Sequence, residues 1–365
     1  MADHSLQKLA QVIVHYSLKL KPDDTFIIRA PEIAAPLIRE VYREAIRAGA
    51  YVNTEIELDG LREIFFKESN EKQLTHVSEY DKLGNEYFNA ALIIWAPSNS
   101  RALSRINPQR IARHREATSP LLNRTMAREA EGTYRWCGTL FPTQALAQDF
   151  GMSLSEYEAF LYEACLLNDE NPITSWQKVY EKQQHVADFL MQHDEIHIVA
   201  PDTDLTYRTA GRQWINCAGI NIPDGEVFSG PIEDSVTGRV RFTYPAQYED
   251  NEVEDVSLTF QDGKVIESAA NRGLDFLNAM LDTDSGSRYV GEVAFGLNYH
   301  IKEFTKHRLL DEKIGGTMHM ALGASIPMTG GVNRSGLHWD LVCDLREGQV
   351  YADGQLCYEH GNFII

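Results

Sequence analysis

Residues 25–30 (TFIIRA) form a short apolar run, 36–48 a helical pattern closed by Gly49, and 51–56 (YVNTEI) a second strand-like run. Two strands joined through a helix imply parallel pairing, because parallel neighbours need a crossover and cannot be joined by a tight turn. An amphipathic helix precedes this βαβ unit, with Leu6, Leu9, Ala10, Ile13 and Val14 at helical spacing and Lys21-Pro22-Asp23-Asp24 ending it. A further buried strand is predicted over 90–96 (AALIIWA). The first hundred residues therefore predict a small open α/β layer. No glycine-rich phosphate loop follows any of its strands, so nucleotide binding by this layer is not expected.

From 107 to about 193 the pattern is mainly helical, with Pro108 opening one helix and Ser153-Leu154-Ser155-Glu156 reading as the cap of another. Arg101, Arg105, Arg110, Arg113, Arg115, Arg124 and Arg128 make this the most basic stretch of the chain. Solvated helix faces are the expected explanation, ahead of a binding patch. Near Asp194 the character changes. The runs 195–200, 204–208, 239–244 and 256–260, the last turning through Asp262-Gly263 into 264–266, read as antiparallel strands. The expected architecture is α/β, with an N-terminal open α/β domain and helical extension over 1–190. Residues 191–365 are expected to form a C-terminal α+β domain rich in antiparallel strands.

Charge narrows the function. Among 365 residues, 53 Asp and Glu outnumber 34 Lys and Arg, for a formal charge of -19. A field of that sign repels phosphate backbones and anionic membranes, so neither nucleic acid nor membrane is an expected partner. The five cysteines are odd in number, widely spaced and without a CxxC pair. They argue against a disulfide framework and for a reducing compartment. With no signal-like layout at the N-terminus and no run near 18 apolar residues, the expected location is the cytoplasm.

The second half gathers metal-capable side chains. In the strand-like run 337–345, His338 and Asp340 share one face while Trp339, Leu341, Cys343 and Leu345 take the other. Such a pair can chelate a metal, or can simply be the polar side of a half-buried strand. Asp224-Gly225 delivers Glu226 from a tight turn; a hairpin with a solvent-facing glutamate would look the same. Glu292 interrupts the apolar run YVGEVAFG, where a carboxylate is costly unless paired or bound to a cation. His319 lies among small and apolar residues in GGTMHMALG, as many core histidines do. Together these two glutamates, two histidines and one aspartate mix hard oxygen with borderline nitrogen donors. The set suits zinc, cobalt or manganese, and five ligands suffice for two ions if one carboxylate bridges.

The segments NIPDGEVF, YVGEVAFG, DEKIGGTMHMALG and NRSGLHWD, in this order, resemble the thermophilic aminopeptidase family. These are the dinuclear metallopeptidases typified by aminopeptidases T, S and II. The likeness extends to 135–143 and 152–157 and covers most of the chain. It implies an N-terminal α/β domain, a C-terminal domain with two divalent metal ions, and a homodimer whose active sites face an enclosed cavity. The family's ligands fall on Glu226, Glu292, His319, His338 and Asp340, with Glu292 as the bridge. A family glutamate ahead of the first histidine matches Glu312 with slightly different spacing, implying an acid/base group. One departure stands out: where the family carries a tyrosine seven residues after the first ligand histidine, this chain has Ile326. A tyrosine hydroxyl near the metals can stabilise an oxyanion, and isoleucine cannot.

The expected activity is metal-dependent release of N-terminal residues from short peptides with a free N-terminus. Two other readings use the same residues. His319, His338 and Asp340 alone form the two-histidine, one-carboxylate set of mononuclear iron oxygenases, and a ring-cleaving dioxygenase branch has a related fold. The third reading, kept open by Ile326, is a non-catalytic peptide-binding homologue.

Overall fold

The structure, a computed structural model, describes residues 2–248 and 251–365. The chain forms two compact units, one of residues 1–175 with 219–222, the other of 176–218 with 223–365.

The first unit is built on a sheet in the order Tyr51–Glu57, Thr25–Pro31, Ala90–Trp95, Arg135–Leu140 and Asn221–Ile222, all pairs parallel. The crossover helix Ala35–Arg47 buries Leu37, Ile38, Val41 and Ala45, the spacing expected of one apolar stripe. The opening helix Ala2–Gln11 runs on as a π-helical segment, Val12–Ser17, that buries Val12, Ile13 and Val14. The arginine-rich stretch is a helix, Pro108–Ala130. Two of its arginines do more than solvate a face. Arg110 Nε donates to the Phe66 carbonyl at 2.7 Å, and buried Arg128 donates to the Phe88 carbonyl at 2.8 Å. Each satisfies a carbonyl at the end of a shorter helix.

Among the described residues the second unit holds two large antiparallel sheets and a two-stranded one, Ala246–Tyr248 with Asn251–Val253. The larger runs from Lys264–Ala269 through Val256–Gln261, Thr237–Phe242, Thr203–Arg208, Glu195–Ala200, Gln349–Ala352 and Gln355–Glu359 to Asn362–Phe363. The smaller orders His338–Asp344, Thr317–Gly323, Val290–Gly296, Glu226–Ser229 and Ile215–Cys217. Both feed one core, in which Ile198, Leu205, Val240 and Leu258 of the first sheet join Phe295, Met320 and Leu341 of the second. The helix Pro172–Leu190, which from sequence reads as the end of the helical extension, sends Val186, Ala187 and Leu190 into this core. Among the described residues, no helix is long and apolar enough to cross a membrane.

Candidate metal centre

The smaller sheet turns one face to the core and the other to the site. Val293 and Phe295, Met318 and Met320, and Trp339, Leu341 and Cys343 all belong to the core. Their alternate neighbours must face the other way. Ladder partners share a face, and Glu292 pairs with Ala321, which pairs with Asp340; Ala294 pairs with His319, and Gly323 with His338. On the next strand Glu226 pairs with Gly296. Four strands thus aim five metal-capable side chains at one region, with alanine and glycine between them leaving room.

Two glycines aim the glutamates. Gly225 has φ 137°, and a Cβ there would stand 2.7 Å from the Asn298 Cβ. The close approach lets Asn298 donate to the Asp224 carbonyl at 2.8 Å and Leu297 N–H donate to the Gly225 carbonyl at 2.8 Å. Glu226 is thereby carried inward as a buried residue and the 223–225 turn is not a hairpin. Gly291 sits at the register shift between Val290 and Glu292, where a Cβ would stand 2.2 Å from the Ala324 carbonyl oxygen. This bulge re-aims Glu292.

The five side chains meet in overlapping groups. Glu226, Glu292 and His319 offer donor atoms within 4.8 Å of one another, and so do Glu292, His338 and Asp340. Glu292 is common to both. A third group of the same reach joins Glu312, His319 and Asp340. The His319 Nε2 lies 3.6 Å from both Glu226 Oε2 and Glu292 Oε1; the His338 Nε2 lies 3.3 Å from Glu292 Oε2 and 3.7 Å from Asp340 Oδ1. These are long for N–H···O bonds, whose usual length is about 2.9–3.0 Å. They match the roughly 3.4 Å between two ligands held tetrahedrally at ~2.1 Å from one ion.

Two further observations fit a cation. Glu226 Oε2 is buried and, among the described residues, has no hydrogen-bond partner, an arrangement expensive for a folded protein unless something binds there. His338 Nδ1 lies 2.9 Å from the Ala324 carbonyl, which assigns a ring proton to Nδ1 and turns Nε2 toward the carboxylates.

The site also contains residues that sequence reasoning did not mark. Lys313 is 1% exposed, and its Nζ lies 2.5 Å from Glu226 Oε1 and 2.7 Å from Glu312 Oε1. Burial alone would discharge it, but Glu226, Glu312 and Asp224 drive its pKa well above the ordinary lysine value. Lys313 thus occupies one oxygen of Glu226 and leaves the orphaned one to the site. Arg308 adds a second cation, 3.6 Å from Asp340 Oδ2. The available signal was the run Arg308 to Lys313, two cations bracketing Asp311 and Glu312 just before an apolar strand.

The protonation pattern is that of a site shaped for positive charge. Burial lowers the His319 and His338 pKa values, yet the surrounding carboxylates, Glu292 foremost, win and raise both to about 9. Burial pushes Glu292 up, but the two histidines hold it well below the usual carboxylate range. Protons on the imidazoles stand where cations would bind. Burial also raises Glu226 and Asp340. Glu312 moves the other way: burial raises it, and Lys313, His319 and Arg308 outweigh burial, so it stays ionised.

The family description thermophilic metalloprotease (M29) matches residues 2–363. The chain belongs to this family. Among relatives, it is 30% identical to aminopeptidase 2 of Geobacillus stearothermophilus, over 97% of this chain and 95% of that one. It is 26% identical to aminopeptidase T of Thermus aquaticus, over 80% and 76% of the two chains. The solved wild-type AmpT from Thermus thermophilus superposes with a TM-score of 0.88 at 23% identity, covering 100% of both chains. A 2,5-dihydroxypyridine dioxygenase from Pseudomonas putida KT2440 superposes with a TM-score of 0.62 at 12% identity, over 100% of this chain and 98% of that one. The last two show a shared fold. The M29 resemblance drawn from the four motifs thus holds over nearly the whole chain, as does the expected α/β architecture.

Proposed function

We propose that this M29 metalloprotease is an aminopeptidase that removes N-terminal residues from short peptides, using two divalent ions. The reading is carried by Glu292, the one side chain that belongs to both donor groups of the smaller sheet. Glu226, Glu292 and His319 would hold one ion, and Glu292, His338 and Asp340 the other. An iron triad of His319, His338 and Asp340 would leave the buried Glu226 and Glu292 without a purpose, which favours two ions over one. Zinc, cobalt and manganese all accept this donor set.

Bound there, the ions would supply Lewis acidity, acidifying a water and polarising the scissile carbonyl. The protein's own residues do the rest. Lys313 grips Glu226 Oε1 and Glu312 Oε1, fixing which oxygen of each carboxylate faces the site. Glu312 Oε2 is the atom left to take a proton from the attacking water and return it to the leaving amine. Ionised at neutral pH, it is in the state that accepts a proton.

The test is to strip the protein with a chelator, restore Zn²⁺, Co²⁺ or Mn²⁺, and assay leucine p-nitroanilide beside its N-acetyl derivative. Metal-dependent cleavage of the free-amine substrate alone is expected; no metal-dependent turnover of any N-terminal substrate would sink the reading. We further place the enzyme in the cytoplasm as a homodimer. Five cysteines, odd in number and without a CxxC pair, are in keeping with a reducing compartment. Sedimentation velocity reports the assembly state.

A further inference from the structure

Beside the cluster lies a cavity of about 260 Å³ whose lining has both signs of charge. Glu312, His338 and Asp340 contribute one part, Lys306 and Arg308 another, with Phe304 among the apolar walls. Lys306 is already answered, its Nζ lying 2.9 Å from Glu252 Oε2. Arg308 is not. Its nearest anions, Asp340 Oδ2 at 3.6 Å and Glu312 Oε2 at 3.9 Å, are beyond hydrogen-bond range, and its side chain is 68% exposed. Among the described residues it makes no hydrogen bond. The guanidinium fork is held near the site by charge while its donors stay open.

The segment that bears it is fixed. The Thr305 N–H and hydroxyl both donate to Asp311 Oδ1, at 2.7 and 2.8 Å, tying the loop to a buried carboxylate. Between them Lys306 takes a left-handed φ of 61°, an uncommon conformation for lysine that the surrounding bonds impose. A chain of net charge -19 repels anionic ligands almost everywhere. An open, preplaced guanidinium is therefore the one feature of this cavity suited to an anion, and its planar fork matches a carboxylate through two parallel bonds.

Distance says which carboxylate. An extended residue spans about 3.3–3.6 Å, and Arg308 stands 3.6 Å from Asp340. A bond cleaved beside Asp340 therefore puts a group one residue further along within reach of the guanidinium. We infer that Arg308 grips the C-terminal carboxylate of the substrate, which makes dipeptides the favoured substrate class. This inference rests on the aminopeptidase reading. A peptide that continues past the second residue presents a neutral amide at that point, a weaker partner for guanidinium.

The experiment compares Leu-Leu with its C-terminal amide, Leu-Leu-NH₂, as substrates of the metal-loaded protein and of R308Q and R308K. The native protein should favour the free acid by about tenfold in kcat/KM, carried by KM. R308Q should bring that preference to about twofold or less, and R308K, which keeps charge without the fork, should fall between. Metal content per chain, measured alongside, should be the same in all three. Equal handling of acid and amide by the native protein, or an R308Q that slows both alike, would overturn the proposal. A second arm needs no turnover: calorimetry with the reduced-bond analogue Leu-ψ[CH₂NH]-Leu and its amide must give the same acid preference and the same loss in R308Q. Hydrolysis of leucine p-nitroanilide without acid preference fails the Arg308 proposal alone. Acid preference in binding with no hydrolysis of any substrate fails the aminopeptidase reading alone.

Discussion

At the scale of single residues, the proposed site divides into groups that would donate to a cation and groups that hold those donors still. Glu292 touches both donor groups and Asp340 only the second of the pair. Glu292→Gln should therefore lose both ions, while Asp340→Asn should keep one more tightly than the other; elemental analysis after dialysis counts them. Lys313 is of the holding kind. Lys313→Met strands Glu226 and Glu312 as buried carboxylates without their counter-ion, a change that costs about 3–5 kcal/mol where a buried pair is broken. Urea unfolding of the metal-free variant reads the loss, and a cost below about 1 kcal/mol would mean that water reaches these carboxylates. Legibility followed the same division. His338 and Asp340 were readable because alternation on a strand is a rule about backbone geometry. Glu226 was named through the family motif and not from its own segment, since Asp-Gly also suits a hairpin turn; the contact with Asn298 shows that the turn goes inward. Arg308 opens a single helical turn, Arg308–Asp311, and Lys313 follows its end, too short a stretch for a period to connect sequence position with direction.

At the scale of elements, the strand bearing His338 is reached through a loop stapled to another. The Asp284 carboxylate accepts hydrogen bonds from the Gly286 and Gly336 N–H groups and from the hydroxyls of Ser287 and Ser335. The slight burial of Asp284 would raise its pKa, but these four donors, Gly336 first, outweigh it and hold the carboxyl down to about 2. Its folded pKa lies below the ordinary value of 3.8. The stabilisation is therefore complete above pH 4 and lost as pH falls through about 2. Asp284→Asn should flatten the acid limb of the stability curve between pH 4 and 2 and leave the neutral region nearly unchanged, as equilibrium unfolding at stepped pH would show. Gly291 belongs to this scale as well. Gly291→Ala forces the strand away from the Ala324 carbonyl, an overpacking worth about 1–3 kcal/mol. Because the bulge also aims Glu292, metal affinity should fall together with stability; a variant that lost stability and bound metal as before would separate the two.

At the scale of the whole molecule, a chain of net charge -19 concentrates much of its buried acid around one point. Metal bound only by the folded form stabilises it, by about 2.7 kcal/mol at a free concentration one hundred times Kd. Chelation should accordingly lower Tm, and calorimetric scans at graded free zinc should show Tm climbing with the logarithm of concentration. A Tm indifferent to zinc would leave the histidine protons without a competitor. The change from a βαβ pattern to hairpins near Asp194 is where the sequence places a boundary, while the compact units divide after residue 175. The path by which the chain crosses between its parts was not visible in the sequence, because the strand involved is only Asn221–Ile222.

That short strand has a consequence for the order of events on the ribosome. It completes the parallel sheet beside Arg135–Leu140, and the Thr139 hydroxyl donates to the Ile222 carbonyl at 2.6 Å. Yet it emerges only after the chain has already begun the second unit. The nascent first sheet must therefore wait with an open edge, and a fragment cut at residue 175 would keep that edge for good. Glu226 follows Ile222 by a single turn. Ile222, which closes the first sheet, and Glu226 of the second unit are thus released from the ribosome almost together.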